Sequence, residues 1–210
     1  MKHMTLIFAL ALCAAQATSA ATAPRGDASE GESKAETCAA CHGADGNSET
    51  PSWPKLAGLG ERYLLEQMQY IRDGVRPVAQ MAGQVDDMSD QDLADIAAFY
   101  NSKTRSGSSA DPDLVELCEL VYRAGIPERN VAACIACHAP NGSGNGPAGF
   151  PALGGQHAEY TEQQLRMYRK GYQDPEGRVT DGDIMIMRSN AFGLSDMEIE
   201  AVASYIAGLR

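Results

Sequence analysis

Beyond its first twenty residues this 210-residue chain has no apolar run that approaches the roughly 18 residues a membrane-spanning helix needs. Positive charge is also short. The 17 Lys and Arg stand against 28 Asp and Glu, and the imbalance is even: residues 21–110 and 111–210 each hold 8 basic and 14 acidic residues. So acidic a surface repels nucleic acid and anionic lipid, and favours partners with positive or neutral docking patches. Strand-like alternation is missing, which leaves helices as the building material. Histidine is scarce too, at four residues, so any site that needs imidazole has few to choose from.

The one apolar run of note comes first. Lys2 and His3 precede Leu6–Ala15, and the small residues Ala17, Thr18, Ser19 and Ala20 follow. This is the layout of a secretory signal peptide, residues 1–20, cleaved after Ala20, and it implies export to the periplasm. Cys13 lies inside that run behind Leu12, a poor neighbour for a lipidation site.

The remainder says the same thing twice, which sets the domain count. Cys38-Ala39-Ala40-Cys41-His42 is answered by Cys134-Ile135-Ala136-Cys137-His138. Trp53-Pro54-Lys55-Leu56-Ala57-Gly58 is answered by Phe150-Pro151-Ala152-Leu153-Gly154-Gly155. Leu56–Gly74 then runs without a gap against Leu153–Gly171, setting Tyr63 on Tyr160 and Arg72 on Arg169. Fifteen residues separate Gly74 from Ser89 but twenty-four separate Gly171 from Ser195, so the second copy carries nine extra. A polar, Gly/Ser-rich join closed by Pro112 divides the copies, giving domains at 24–103 and 112–210 with a linker at 104–111.

Both copies read as helical. Leu64, Leu65, Met68 and Ile71 recur at helical spacing up to Gly74. Ser89 and Ser195 stand as N-caps, Asp92 and Glu198 lie three residues on, and Ser195 with Glu198 makes a capping box. The apolar face Leu93, Ile96, Ala97, Tyr100 is answered by Ile199, Val202, Ala203, Ile206. Domains of this size with so much loop have little apolar core of their own. Something else must fill them.

The repeated Cys-x-x-Cys-His motif names the filler, because it is the attachment signature for c-type haem. Two cysteines three apart on a helical turn share a face and reach two vinyl groups along one edge of a porphyrin. The next residue, histidine, then meets the iron. A structural zinc site wants its two Cys pairs about 15–20 residues apart, and a thioredoxin-like pair wants a βαβ setting. Neither condition holds. Disulfides within each pair would leave both histidines unexplained. The cofactor reading is therefore two covalent haems, through Cys38, Cys41, Cys134 and Cys137, with His42 and His138 on the irons.

The chain resembles the cytochrome c4 family of di-haem electron carriers. The likeness rests on both motifs, on Pro54-Lys55-Leu56-Ala57-Gly58 with Glu61-Arg62-Tyr63-Leu64-Leu65, and on Gln91-Asp92-Leu93-Ala94-Asp95-Ile96-Ala97-Ala98. In the second copy it rests on Gly149-Phe150-Pro151, Leu153-Gly154-Gly155-Gln156-His157, and Asp181-Gly182-Asp183 before Ile186-Met187. The resemblance implies an all-α chain of two tandem class I cytochrome c domains related by a pseudo-twofold axis, each iron held by His and Met. It also implies that the Pro54 and Pro151 carbonyls accept the second N–H of the ligand histidines. The cytochrome subunit of flavocytochrome c sulfide dehydrogenase is similar in size and haem count.

The repeat narrows the sixth ligand. Besides the motif histidines only His3 and His157 remain, and His157 stands opposite Gly60, which marks it as a surface or capping residue. Seven methionines lie beyond residue 20. Met68 falls opposite Leu165, Met167 opposite Tyr70, Met88 opposite Leu194 and Met197 opposite Gln91. Only Met81 and Met187, each eight residues before its cap serine, set methionine on methionine, and both are expected in loops. Met185 would need a slip that loses the cap. Cys118, without a motif, reads as buried filler in an apolar helix.

His/Met ligation fills both axial positions, which suits electron carriage rather than catalysis at iron. The expected partners are redox proteins, namely a respiratory donor complex and a terminal oxidase or reductase. Peripheral contact with a membrane is compatible with that role. The extra loop of the second copy, with Asp174, Glu176, Asp181 and Asp183 against Arg178, is expected to put negative charge beside the second haem.

Overall fold

The computed structural model describes residues 23–113 and 115–210. The expected signal peptide lies outside the described residues, and so does the side chain of Cys118. Among the described residues nine α-helices run in order: α1 Ala28–Lys34, α2 Ala39–His42, α3 Glu61–Arg72, α4 Asp90–Asn101, α5 Val115–Ala124, α6 Ile135–His138, α7 Ala158–Gly171, α8 Ile186–Phe192 and α9 Asp196–Gly208. Short 3-10 turns cover Ala79–Met81 and Pro127–Arg129. Among the described residues β-structure is limited to two isolated bridges.

The helices form two groups. In the first, α4 packs against α1 and α3; in the second, α9 packs against α5 and α7, and α8 against α7. The last helix of each group is central because its apolar face is fully enclosed. Leu93, Ile96, Ala97 and Tyr100 are buried in α4, and Ile199, Val202, Ala203 and Ile206 in α9. Each large aliphatic side chain so enclosed contributes about 1.5–3 kcal/mol. Both helices start with a full capping box. Ser89 Oγ accepts from Asp92 N–H at 3.2 Å while Asp92 Oδ2 accepts from Ser89 N–H at 3.1 Å, and Ser195 with Glu198 repeats this at 3.3 and 2.8 Å. At the other contact of α4, Gly31 of α1 lies so close that a Cβ there would stand 2.0 Å from the Asp95 carbonyl oxygen. No side chain fits, and the two backbones meet.

The two groups are joined by buried polar bonds. Lys55 N–H donates to Gln156 Oε1 and Gln156 Nε2 donates to Lys55 O, both at 2.9 Å, so the glutamine amide imitates a strand partner. The Gly/Ser-rich join is tied down as well. Ser106 N–H donates to Asn47 Oδ1 at 2.8 Å, and Lys55 Nζ donates to Ser106 O at 2.8 Å. Arg105 reaches both halves, donating to Ala57 O at 2.8 Å and to Ala152 O at 2.9 Å.

Candidate functional site

Each Cys-x-x-Cys-His motif forms one tight helical turn. Cys38 (φ −69°, ψ −28°) precedes α2 and Cys134 (φ −60°, ψ −32°) precedes α6, and both accept the histidine N–H four residues on at 2.9 Å. One turn brings the two sulfurs of each pair to one face and drives the histidine inward. His42 and His138 are 8% and 6% exposed, at positions where imidazole is otherwise costly to enclose.

The ring orientation follows from one bond in each half. His42 Nδ1 lies 2.9 Å from Pro54 O and His138 Nδ1 lies 2.9 Å from Pro151 O. A carbonyl only accepts, so Nδ1 carries the proton, and the Nε2 lone pair is left for a metal. Burial holds both rings below the ordinary imidazole range, which favours that neutral, ligating form.

The sulfurs fit the same chemistry. Neither motif forms a disulfide. Burial pushes the Cys134 thiol up to about 11 and raises that of Cys38. A thiolate ligand needs the opposite shift, whereas a thioether carries no charge and loses nothing by burial. Among the described residues no three or more His, Cys, Asp or Glu are grouped so as to hold a metal ion. In the first half Tyr100 Oη is buried beside the Cys38 thiol, with no nitrogen or oxygen of the described residues bonded to it. A haem bonded to these cysteines fits that setting.

The methionines chosen by register sit differently from expectation. Met81 ends a 3-10 turn, and Met187 is the second residue of α8. Neither is in an open loop, because local hydrogen bonds such as Met81 N–H to Val78 O at 2.9 Å close the backbone around them. Met81 packs, half-buried, on the same core cluster as Cys38, as does Met88. Met187 is half-buried where α8 packs on α7, and Met185 before it takes a left-handed φ of 51°.

Two further expectations need correction. His157 occupies the N-cap position of α7 but makes no side-chain cap; its Nε2 lies 2.9 Å from Ser48 O and 3.0 Å from Ser48 Oγ in the other half. It is an interdomain contact because α7 starts at the join between halves. The acidic loop is largely neutralised: Lys170 pairs with Asp174 at 3.4 Å and Glu176 at 3.1 Å, and Arg188 with Asp181 at 2.6 Å. Its Arg178 turns inward and is 5% exposed. Sequence reasoning missed this interface role, although the matched Tyr63 and Tyr160 mark the place where Arg178 lands.

Comparison with known proteins agrees with this geometry. The cytochrome c family model matches twice, over residues 28–103 and 129–210. Cytochrome c4 of Pseudomonas aeruginosa is 52% identical over 184 residues, covering 88% of this chain and 89% of that protein. The crystal structure of reduced recombinant cytochrome c4 from Pseudomonas stutzeri is 50% identical with a TM-score of 0.84, and the match covers 88% of this chain and all of the other. A thiosulfate dehydrogenase electron acceptor of Thiomonas intermedia is more distant, at 34% identity over 83% of this chain and 79% of its own. A duplicated Cys-x-x-Cys-His turn, an inward histidine tied to a proline carbonyl, and matches of this extent have one reading: the chain belongs to the cytochrome c4 family, as an all-α electron carrier of two cytochrome c domains with two covalent c-type haems.

Proposed function

We propose that the chain shuttles electrons in the periplasm between a respiratory donor complex and a terminal oxidase or reductase. Its two domains would span 24–103 and 112–210, separated at 104–111. Cys38 and Cys41 form the thioethers of the first haem, and Cys134 and Cys137 those of the second. His42 with Met81, and His138 with Met187, are the axial pairs. The observation that carries the ligand reading is the matched histidine–proline bond of 2.9 Å in both halves, which aims each Nε2 away from the backbone.

When bound, each haem supplies reversible one-electron exchange between ferrous and ferric iron. The chain's own residues supply the rest. Pro54 and Pro151 hold the imidazole tautomer, and the enclosing helices restrict water around the histidines. Among the described residues no helix is long and apolar enough to cross a membrane, which accords with a carrier that moves between partners.

A second reading makes the chain the dedicated haem subunit of a dehydrogenase, either the flavin enzyme of sulfide oxidation or one oxidising thiosulfate. The 34% identical relative, named as an electron acceptor of the latter, favours weighing it. Affinity capture of the native protein from periplasm and membranes, followed by flavin analysis and mass spectrometry, separates the two. Recovery of quinol-oxidising or oxidase subunits without flavin is the expected outcome. A stoichiometric dehydrogenase partner would replace the shuttle with the subunit.

A further inference from the structure

Helix α8, whose second residue is Met187, begins without a cap of its own. Its N-cap residue is Met185, at φ 51°, and that side chain closes none of the free N–H groups of the first turn. Asp181 does so from outside the helix. Its Oδ2 accepts Arg188 N–H at 2.8 Å, at the third helical position, where an N-cap oxygen ordinarily bonds, and its Oδ1 accepts from Arg188 Nε at 2.6 Å. Arg188 Nη2 then donates to Gly182 O at 2.6 Å. The pair is enclosed, with the Asp181 side chain 4% and the Arg188 side chain 14% exposed. Residues 181–188 form a closed loop, and Met187 sits one residue inside its clasp.

Two further contacts fix the rest of α8. Asn190 Oδ1 accepts Ala132 N–H at 2.7 Å, two residues before Cys134, while Asn190 Nδ2 donates to Ile186 O at 2.8 Å. Phe192 stacks on Tyr172, just past the end of α7, with 4.4 Å between centroids and 23° between planes. Met187 is therefore carried by an element held at its start, middle and end. The first half has no such clasp. Val75 stands six residues before Met81, where Asp181 stands six before Met187, and Ala82 follows Met81 where Arg188 follows Met187. Neither apolar side chain can make the pair. The turn of Met81 is held by its own backbone, with Met81 N–H on Val78 O at 2.9 Å and Gln84 N–H on Met81 O at 3.0 Å. A Cβ on Gly83 beside it would meet nothing within 4 Å.

We propose that Asp181 is a positioning residue for the second haem: by clasping Arg188 it holds the Met187 sulfur on iron, and the first iron, which lacks the clasp, releases its methionine more readily. This rests on Met81 and Met187 being the axial ligands. An added ligand reaches iron only once methionine has left, so its apparent affinity scales with the fraction of molecules whose ligand segment is open. In the second half that opening must break a buried ion pair and a capping bond; in the first it breaks neither. Asp181 acts through α8, not on the iron.

The test is an imidazole titration of the ferric holoprotein at about pH 8, where the probe is largely uncharged and so insensitive to the charge removed with Asp181. One Fe–S bond breaks, one Fe–N bond forms and no electron moves; loss of the far-red methionine-to-iron band follows the exchange. In a Met81→Ala background that band belongs to the second haem alone, and in a Met187→Ala background to the first. The first haem should half-saturate at the lower imidazole concentration. Asp181→Ala should lower the second haem's half-saturation about tenfold, the size of one lost cap with its ion pair, and leave the first haem's unchanged. Asp181→Asn, whose amide oxygen still accepts Arg188 N–H, and Arg188→Gln, which keeps that backbone bond, should each lower it only about threefold. A denaturant titration of each variant runs alongside. A lowered midpoint with ligand exchange unmoved would make Asp181 merely structural and overturn the clasp. An equal shift at both haems, an Asn variant as loose as Ala, or a first haem that keeps its methionine as firmly as the second would overturn it too. A Met187→Ala protein that retains the whole far-red band would overturn the ligand reading, and the clasp with it. Should Asp181→Ala fail to hold its second haem, the two milder variants decide: a threefold shift at that haem alone upholds the clasp, and none overturns it.

Discussion

At the scale of single residues, the two halves solve one backbone problem with different chemistry. The residue after each motif histidine turns the chain at positive φ: Gly43 at φ 79°, ψ 150°, and Ala139 at φ 66°, ψ 158°. That region is nearly reserved for glycine, and another residue there costs on the order of 1–3 kcal/mol. Ala139→Gly should therefore stabilise the holoprotein by about 1 kcal/mol, and Gly43→Ala should destabilise it by at least as much. Denaturant titration of both variants checks this, and a loss of stability in Ala139→Gly would show that Ala139 is unstrained. The axial ligands are tested at the same scale. Met81→Ala and Met187→Ala should each remove half of the weak far-red methionine-to-iron band of the oxidised protein. If Met88→Leu or Met185→Leu does so instead, the register argument has chosen wrongly, and the left-handed φ of Met185 would become the clue.

Among elements, the capped final helices carry both stability and pH dependence. Glu198 closes the α9 box and is paired with Arg129. Partial burial opposes its ionisation, but the Arg129 ion pair and the Ser195 bonds outweigh it and hold the carboxyl at about 2, against an ordinary 4.5. Because the folded value lies below the unfolded one, the stabilisation is complete above about pH 4.5 and is lost as pH falls toward 2. Glu198→Gln should be less stable than wild type at pH 6, with the difference shrinking through that window, as followed by chemical denaturation at successive pH values. A difference constant down to pH 2 would remove Glu198 from the acid transition. These helices were legible in the sequence because caps and apolar faces are local patterns: Ser89, Ser195 and the faces they open stand where the spacing puts them. Arg178 was not legible, because the nine extra residues fall on both sides of it. It is seven residues past Gly171 where Arg76 is two past Gly74, and nine before Met187 where Arg76 is five before Met81. An alignment that treats the insertion as one block hides the match; the hydrogen bonds reveal it, because Arg76 donates to Tyr160 and Gln164 as Arg178 does to Tyr63 and Gln67.

For the whole molecule the question is how far the halves are separate folding units. Each has a small apolar cluster of its own, and the covalent haem should supply much of what the helices lack. Cys38→Ala with Cys41→Ala should therefore leave the first half unfolded or degraded, while the second still attaches its haem at Cys134 and Cys137. The interface adds a condition to that independence. Arg178 would lose Tyr63 and Gln67, Gln156 would lose Lys55, and His157 would lose Ser48. A guanidinium enclosed at 5% exposure would then face water or an empty seam. Breaking one side of such a buried polar contact usually costs a few kcal/mol, because the remaining group is left without its partners. The surviving half should thus melt at a lower temperature than the same half in the intact protein, and its haem should titrate at a lower potential as water reaches it. Limited proteolysis with haem staining, followed by thermal melting in the haem band, measures both effects on one sample. A protease-resistant first half without haem would show that its apolar cluster suffices alone. A second half with unchanged melting and potential would show that the buried bonds between the halves carry no energy.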